Sequence, residues 1–141
     1  MPKMNNGVLM DTHIWVWYFT GNGEITAKNK KNLDEFASEN ALYISAISVW
    51  EIAMLAKKGR IKFNTSTSAW VHKALSAPGF SIIPLSAEIA IESCEFNGNF
   101  HGDPADRIIT ASAKIENLLL MTRDVKLLAY CRENNIKTLK N

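Results

Sequence analysis

Four acids stand where a catalytic cluster would need them: Asp11, Glu51, Asp106 and Asp124. Asp11 closes the apolar run Val8-Leu9-Met10, and the other three lie just beyond similar runs in an alternating strand-and-helix pattern. In an open parallel sheet all strand C-termini point to one edge, so carboxylates distant in sequence can converge there without any local motif. Four such groups do not all stay ionised side by side unless a cation offsets their repulsion. Hard divalent ions such as Mg²⁺ suit this set, because they prefer oxygen ligands, keep several waters and take only one or two carboxylates directly. A site of that kind lowers the pKa of a water for attack on phosphorus and offsets charge on the leaving oxygen, which is phosphodiester hydrolysis.

Each acid also has an ordinary structural use. Asp11 and Asp124 immediately precede helical segments, where Asp oxygens accept orphan backbone N–H groups, and Asp103 is a better N-cap still. Asp106, at the third helical position, is favoured there by the helix dipole. Glu51 stands three residues after Ser48 in capping-box register, with Lys58 farther along its own side. These explanations must all hold at once, whereas one shared pocket accounts for four positions together.

The polar residues beside the acids extend this expectation. Thr12, Ser48 and Thr122 carry hydroxyls that either orient a carboxylate or a metal-held water, or cap helices. Arg107 and Arg123 each adjoin an acid and are candidates to contact a substrate phosphate, with a surface ion pair as the commoner fate. Lys57, Lys58, Arg60 and Lys62 form a basic stretch, either a solvated turn or a track for a nucleic-acid backbone. His13, His72 and His101 have no proton-shuttling spacing. His72 reads as a surface residue, and His13 and His101 as neighbours of the pocket. No His or Cys cluster accompanies the acids, which disfavours zinc.

The elements that must position these groups follow from hydrophobic period and punctuation. Strands are predicted over Val8 to Asp11, Leu42 to Ser45, Phe80 to Ile83, Leu118 to Thr122 and Ile136 to Leu139. Helices are predicted from Thr12 to Phe19, Ile25 to Glu39, Ser48 to Lys58, Ser66 to Leu75, Ser86 to Cys94, Asp103 to Glu116 and Asp124 to Glu133. Trp15, Tyr18 and Phe19 make a packing face on the first helix, and Lys28, Lys30 and Lys31 point outward from the second. This alternation predicts an α/β fold, a three-layer α/β/α sandwich with a mainly parallel central sheet.

At 141 residues the chain fits a single domain over residues 8–141, preceded by a short polar extension, residues 1–7. With 47% hydrophobic and 21% charged residues it belongs to the ordinary globular class rather than the disordered one. Cys94 and Cys131 lack metal-ligand spacing and read as reduced core thiols. Neither a membrane-spanning run nor a secretory signal is apparent, so the expected location is cytoplasmic. Lys and Arg number 16 against 14 Asp and Glu. With four of those acids pooled in one pocket, the remaining surface is basic and suited to a polyanion.

Taken in order, Val8-Leu9-Met10-Asp11-Thr12-His13, Ser45-Ala46-Ile47-Ser48-Val49-Trp50-Glu51-Ile52, His101-Gly102-Asp103-Pro104-Ala105-Asp106-Arg107-Ile108-Ile109 and Leu120-Met121-Thr122-Arg123-Asp124 resemble the PIN-domain ribonucleases, most closely VapC-type toxins of bacterial toxin–antitoxin pairs. The resemblance runs from about Val8 to Leu139. It implies that Asp11, Glu51, Asp106 and Asp124 are the acidic metal-binding and catalytic positions, with Asp103 added in an Asp-Pro-x-Asp variant. It implies Mg²⁺- or Mn²⁺-dependent cleavage of single-stranded or looped RNA, a homodimer, and inhibition by a cognate VapB-like antitoxin. Ala105 departs from the bulkier apolar residue often found at its position. The alternatives are a catalytically silent PIN-like module that binds RNA or protein, and a receiver-like phosphoacceptor domain. The latter would need paired acids after the first strand, where this chain has Thr12-His13.

Overall fold

The computed structural model describes residues 7–21, 23–96 and 103–141. Three short strands, β1 (Val8–Met10), β2 (Leu42–Ser45) and β4 (Leu119–Thr122), form the middle of a sheet whose edges are β3 (Phe80–Ile83) and β5 (Thr138–Lys140). The order is β3-β2-β1-β4-β5 and every pairing is parallel, with Met10 beside Ile44 on one flank and Met121 on the other. Strands buried on both faces carry continuous apolar runs, and Val8, Leu9 and Met10 are all fully buried. Successive side chains point to opposite faces. Val8 and Met10 accordingly join one core with Leu42, Ile44 and Met121, while Leu9 joins the other with Leu120 and Ile83.

Seven helices among the described residues cover the two faces. Helices α1 (Thr12–Thr20), α2 (Ala27–Ser38), α3 (Ala46–Lys57) and α4 (Thr67–Leu75) contribute Ile14, Trp15, Leu33, Ile52 and Val71 to the first core. Helices α5 (Ala87–Glu92), α6 (Pro104–Ile115) and α7 (Val125–Glu133) contribute Ile89, Ile109, Leu127 and Cys131 to the second. The predicted α/β/α sandwich is therefore the observed architecture. No helix among the described residues is long and apolar enough to cross a membrane.

Four details differ from the sequence expectation. The N-cap of α3 is Ser45, whose hydroxyl accepts from the Ile47 N–H at 3.2 Å, so the helix starts at Ala46, two residues before Ser48, and no capping box forms. Strand β5 begins at Thr138, because Ile136 is still packed below the sheet edge in the second core. Cys131 is buried as expected, but Cys94 is exposed, in the turn after α5; both are free thiols. The first two residues of the predicted second helix, Ile25 and Thr26, lie before α2, with the Thr26 hydroxyl as its cap.

The topology fixes where a site can form. From β1 the chain moves outward through β2 to β3, then crosses back to β4 on the other side of β1 and outward again to β5. The C-terminal ends of β1 and β4 therefore flank a reversal of strand order, the place where open α/β sheets leave a crevice. The Asp11 N–H, donating to the Met121 carbonyl at 3.0 Å, closes the ladder at that point.

The turn into β3 depends on one glycine. Gly79 has φ +90°, and a Cβ there would lie 2.2 Å from the Ala37 carbonyl oxygen at the end of α2. Its own carbonyl accepts from the Leu42 N–H at 3.2 Å, so the segment has little room to move. Gly79→Ala is expected to destabilise the fold by about 3 kcal/mol, from a strained φ plus a backbone clash. At the usual scale that lowers the thermal midpoint by roughly 6–12 °C, measurable by circular dichroism; an unchanged midpoint would mean that the α2–β3 contact yields freely.

Candidate metal centre

The acids converge at that crevice. Asp11, Glu51, Asp103, Asp106 and Asp124 line one cavity of about 330 Å³ together with His13, Ile14, Trp17 and Arg123. Asp11 comes from the end of β1, Glu51 from the second turn of α3, Asp103 and Asp106 from the start of α6, and Asp124 from the residue before α7. All four primary candidates and the added Asp103 are thus brought together. The helix-capping roles are also real, and they coexist with the pocket. Asp11 Oδ1 accepts from the Thr12 N–H at 2.7 Å, Asp103 Oδ1 from the Asp106 N–H at 2.9 Å, and Asp124 Oδ1 from the N–H groups of Lys126 and Leu127 at 2.9 and 3.1 Å. A single carboxylate oxygen satisfies each cap and leaves the second oxygen for another use.

Buried hydroxyls hold the acids in place. Thr122 donates to Asp11 Oδ2 at 2.8 Å, and its oxygen accepts from the Asp124 N–H at 3.1 Å, so one side chain fixes both acids that flank the strand reversal. Thr12 donates to Glu51 Oε1 at 2.6 Å. A hydroxyl has a single proton, so the 2.8 Å contact between Thr12 and Ser48 is a bond donated by Ser48. Thr12, Ser48 and Thr122 are all buried, and each bond to a carboxylate carries the added strength of a charged acceptor. Ser48 thus supports Glu51 through Thr12 from inside the helix; it does not cap it.

Charge accumulates faster than these bonds relieve it. Burial is the main cause that raises the Asp11 carboxyl above the ordinary range, opposed by its bonds from Thr122 and Thr12. Glu51 is raised for the same reason, with Asp103 and Asp11 adding to the shift and the Thr12 bond opposing it. Asp106 is pushed up to about 7 by burial and then by the charges of Asp103, Asp11, Glu51 and Asp124. Among the described residues no donor reaches its carboxylate. An acid so placed gains from a nearby cation, which favours its ionised form.

The donor set fits a hard divalent ion. The acids that line the cavity offer oxygen, the donor that a hard divalent ion prefers and takes directly from one or two carboxylates, with waters spanning to the others. Among the described residues no group of three acidic, histidine or cysteine residues is placed to hold an ion by itself.

The remaining candidates divide. Arg123 lines the pocket, is ion-paired to the Glu24 carboxylate, donates to the Glu24 carbonyl at 3.2 Å, and lies over the Trp17 ring at 5.0 Å. Arg107 is half-buried on α6 outside the lining, and Lys57, Lys58 and Arg60 are exposed at the far end of α3, also outside it. Helix α3 starts at the acidic edge and runs away from it, which carries those bases roughly 10 Å along its axis from Glu51. His13 lines the pocket as expected, and His72 is on the surface with its ring at 2.8 Å from the Ser68 carbonyl oxygen. His101 lies outside the described residues. Sequence reasoning missed Trp17 and Glu24. The i, i+4 spacing of His13 and Trp17 was an available signal, whereas the Glu24–Arg123 pair joins residues 99 positions apart.

The raised acids give the stability a definite pH dependence. Between about pH 4 and 7 the folded chain holds a proton on Asp106 that the unfolded chain has lost, so in a chelating buffer stability falls as pH rises through that window. Asp106→Asn removes this share: its thermal midpoint is expected to fall several degrees less than that of the unsubstituted chain between pH 4.5 and 7.5. Millimolar Mg²⁺ at pH 7.5 is expected to close the gap. Equal pH slopes for the two proteins would contradict the crowding of charge at Asp106.

Comparison with known proteins agrees with this geometry. The family model for the PIN domain matches residues 8–133. The chain is 28% identical over 123 residues to Ribonuclease VapC22 of Mycobacterium tuberculosis, covering 87% of this chain and 91% of that protein. Among solved structures it is similar to a toxin–antitoxin complex from Klebsiella pneumoniae, with 28% identity, a TM-score of 0.58 and coverage of 87% and 91% of the two chains. The DNA-bound VapBC of Salmonella typhimurium shares the fold with a TM-score of 0.70 at 17% identity, covering 95% of this chain and 97% of that one. The matched span includes all five acids of the pocket and the topology that brings them together, and on that basis the chain belongs to the PIN-domain family.

Proposed function

We propose that this protein is a divalent-cation-dependent endoribonuclease, the toxin of a toxin–antitoxin pair, acting in the cytoplasm on single-stranded or looped RNA. The observation that carries the reading is the placement of Asp11, Glu51, Asp106 and Asp124 on one cavity, with the Asp106 carboxyl pushed up to about 7. The similarity to a protein named Ribonuclease VapC22 and to a toxin–antitoxin complex supports the class of activity and the class of protein partner, a VapB-like antitoxin. A homodimer is part of the same proposal. Mg²⁺, or Mn²⁺ in its place, is the ion that an all-oxygen donor set favours.

When bound, such an ion would supply an acidified water and a positive charge for the phosphate oxygens. The residues do the rest. Asp11 and Asp124, fixed to each other through Thr122, would hold the ion or its waters at the strand reversal. Glu51, held by Thr12 and Ser48, would receive a proton from the attacking water. Asp106, whose carboxyl is pushed up to about 7, would serve as a ligand in its ionised form, which would link binding of the ion to loss of a proton. Asp103 keeps one oxygen in the α6 cap and faces the same cavity with its carboxylate. Arg123, in the cavity lining, is a proposed contact to the RNA backbone close to the reacting phosphate, and Arg107 and the Lys57, Lys58 and Arg60 stretch are proposed contacts outside the cavity.

The test is cleavage of a labelled single-stranded oligoribonucleotide by the purified chain. Cleavage in Mg²⁺ that stops in chelator and leaves 5′-phosphate and 3′-hydroxyl ends is the expected result. Asp11→Asn and Glu51→Gln are each expected to lower the rate at least 100-fold, the usual cost of losing a general base or an electrostatic stabiliser. Cleavage that persists in chelator with 2′,3′-cyclic phosphate ends would sink the metal-dependent reading.

A further inference from the structure

Part of the cavity wall carries no acid, and it is aromatic. His13 and Trp17, one turn apart on α1, line the cavity with ring centroids 5.8 Å apart and planes tilted by 51°. The Trp17 ring is partly buried, and the Arg123 guanidinium, itself tied to Glu24, lies over it at 5.0 Å. That arrangement holds Trp17 and leaves His13, which is exposed, as the more accessible ring of the pair in the cavity lining. The cavity, at about 330 Å³, also exceeds what a hydrated ion needs, since six waters occupy on the order of 180 Å³.

Resting on the ribonuclease reading, we propose that His13, seated on Trp17, is a stacking platform for the nucleobase next to the scissile phosphate. The charge of the site favours this division of labour. Five carboxylates repel a phosphate backbone, so affinity close to the reacting bond has to come from uncharged contacts as well as from the cation. An unstacked base offers a π-face of any sequence, and a single base–aromatic stack is a substantial share of single-strand affinity. A duplex keeps its bases paired and stacked, so the same platform selects against it. His13 is thereby a substrate-positioning residue of broad base tolerance, and Trp17, Arg123 and Glu24 are the props that hold its ring.

Fluorescence anisotropy with a fluorescein-labelled oligouridylate tests this, in Mg²⁺ and on the full chain carrying Asp11→Asn to suppress cleavage. Adding His13→Ala is expected to weaken binding about tenfold, and His13→Phe to restore most of it, because a ring is needed and an imidazole is not. An oligomer of the same length with an abasic position beside the cleavage site is expected to bind as weakly to the His13 parent as the intact oligomer binds to His13→Ala. Loss of affinity in His13→Phe equal to that in His13→Ala, or an affinity indifferent to both substitutions, overturns the platform. If the unsubstituted chain cuts RNA while this result is obtained, the ribonuclease reading survives and only the platform falls. A chain that neither cuts nor binds RNA overturns both.

Discussion

Mutual repulsion among five carboxylates at the C-terminal edge of a parallel sheet is the constraint to which the surrounding structure answers. The strand order makes it unavoidable: with β1 central and β4 beside it, Asp11 and Asp124 face one crevice, and α3 and α6 deliver Glu51, Asp103 and Asp106 to the same place. Helix N-termini near the acids offset part of the charge through caps at Asp11, Asp103 and Asp124. Buried hydroxyls offset more, through Thr122 on Asp11 and Thr12 on Glu51. Asp106 lies in the first turn of α6, but among the described residues no hydrogen bond reaches its carboxylate, and its carboxyl is pushed up to about 7, a charge burden that a cation would relieve.

The relation of the caps to the pocket bears on how such sites are built. A carboxylate that caps a helix is held by backbone N–H groups, which have no rotamer freedom to lose, so its orientation is set by the fold itself. The same bond that stabilises the helix then aims the acid. Glu51 is different: it sits inside α3, has no backbone donor among the described residues, and is oriented by the relay from Ser48 through Thr12. Thr12 is one residue beyond Asp11, so a single strand–helix junction serves two acids from opposite ends of their hydrogen-bond networks.

Much of this was legible in the sequence because the determinants are local. The apolar runs ending at Met10 and Thr122 each close a strand, and Asp11 and Asp124 just beyond them lie at the correct edge once the sheet is parallel. Glu51 instead sits in the second turn of α3, and Asp103 and Asp106 stand at the start of α6, which comes after α5 in the chain rather than directly after a strand. Asp103-Pro104 marks the start of α6 without ambiguity, since Pro at the first helical position follows a capping Asp. Ser48 was less legible. Ser45 and Ser48 are both good caps, and the choice of Ser45 follows from β2 passing into α3 with no intervening loop, a tertiary fact. Likewise the Thr12–Glu51 bond spans 39 positions and the Arg123–Glu24 pair 99, distances at which a single sequence carries no pairing signal. Cys94 illustrates the same limit, since helical spacing could not show that α5 would end at Glu92 and leave the thiol outside.

The central claim is that these acids are poised to exchange a proton for a divalent cation. Titration calorimetry of Mn²⁺ into the chain at pH 7, repeated in two buffers of different ionisation enthalpy, measures that exchange directly. The account predicts binding accompanied by release of a substantial fraction of a proton, with the release lost in Asp106→Asn. Binding with no proton release, or the same release from Asp106→Asn, would contradict it.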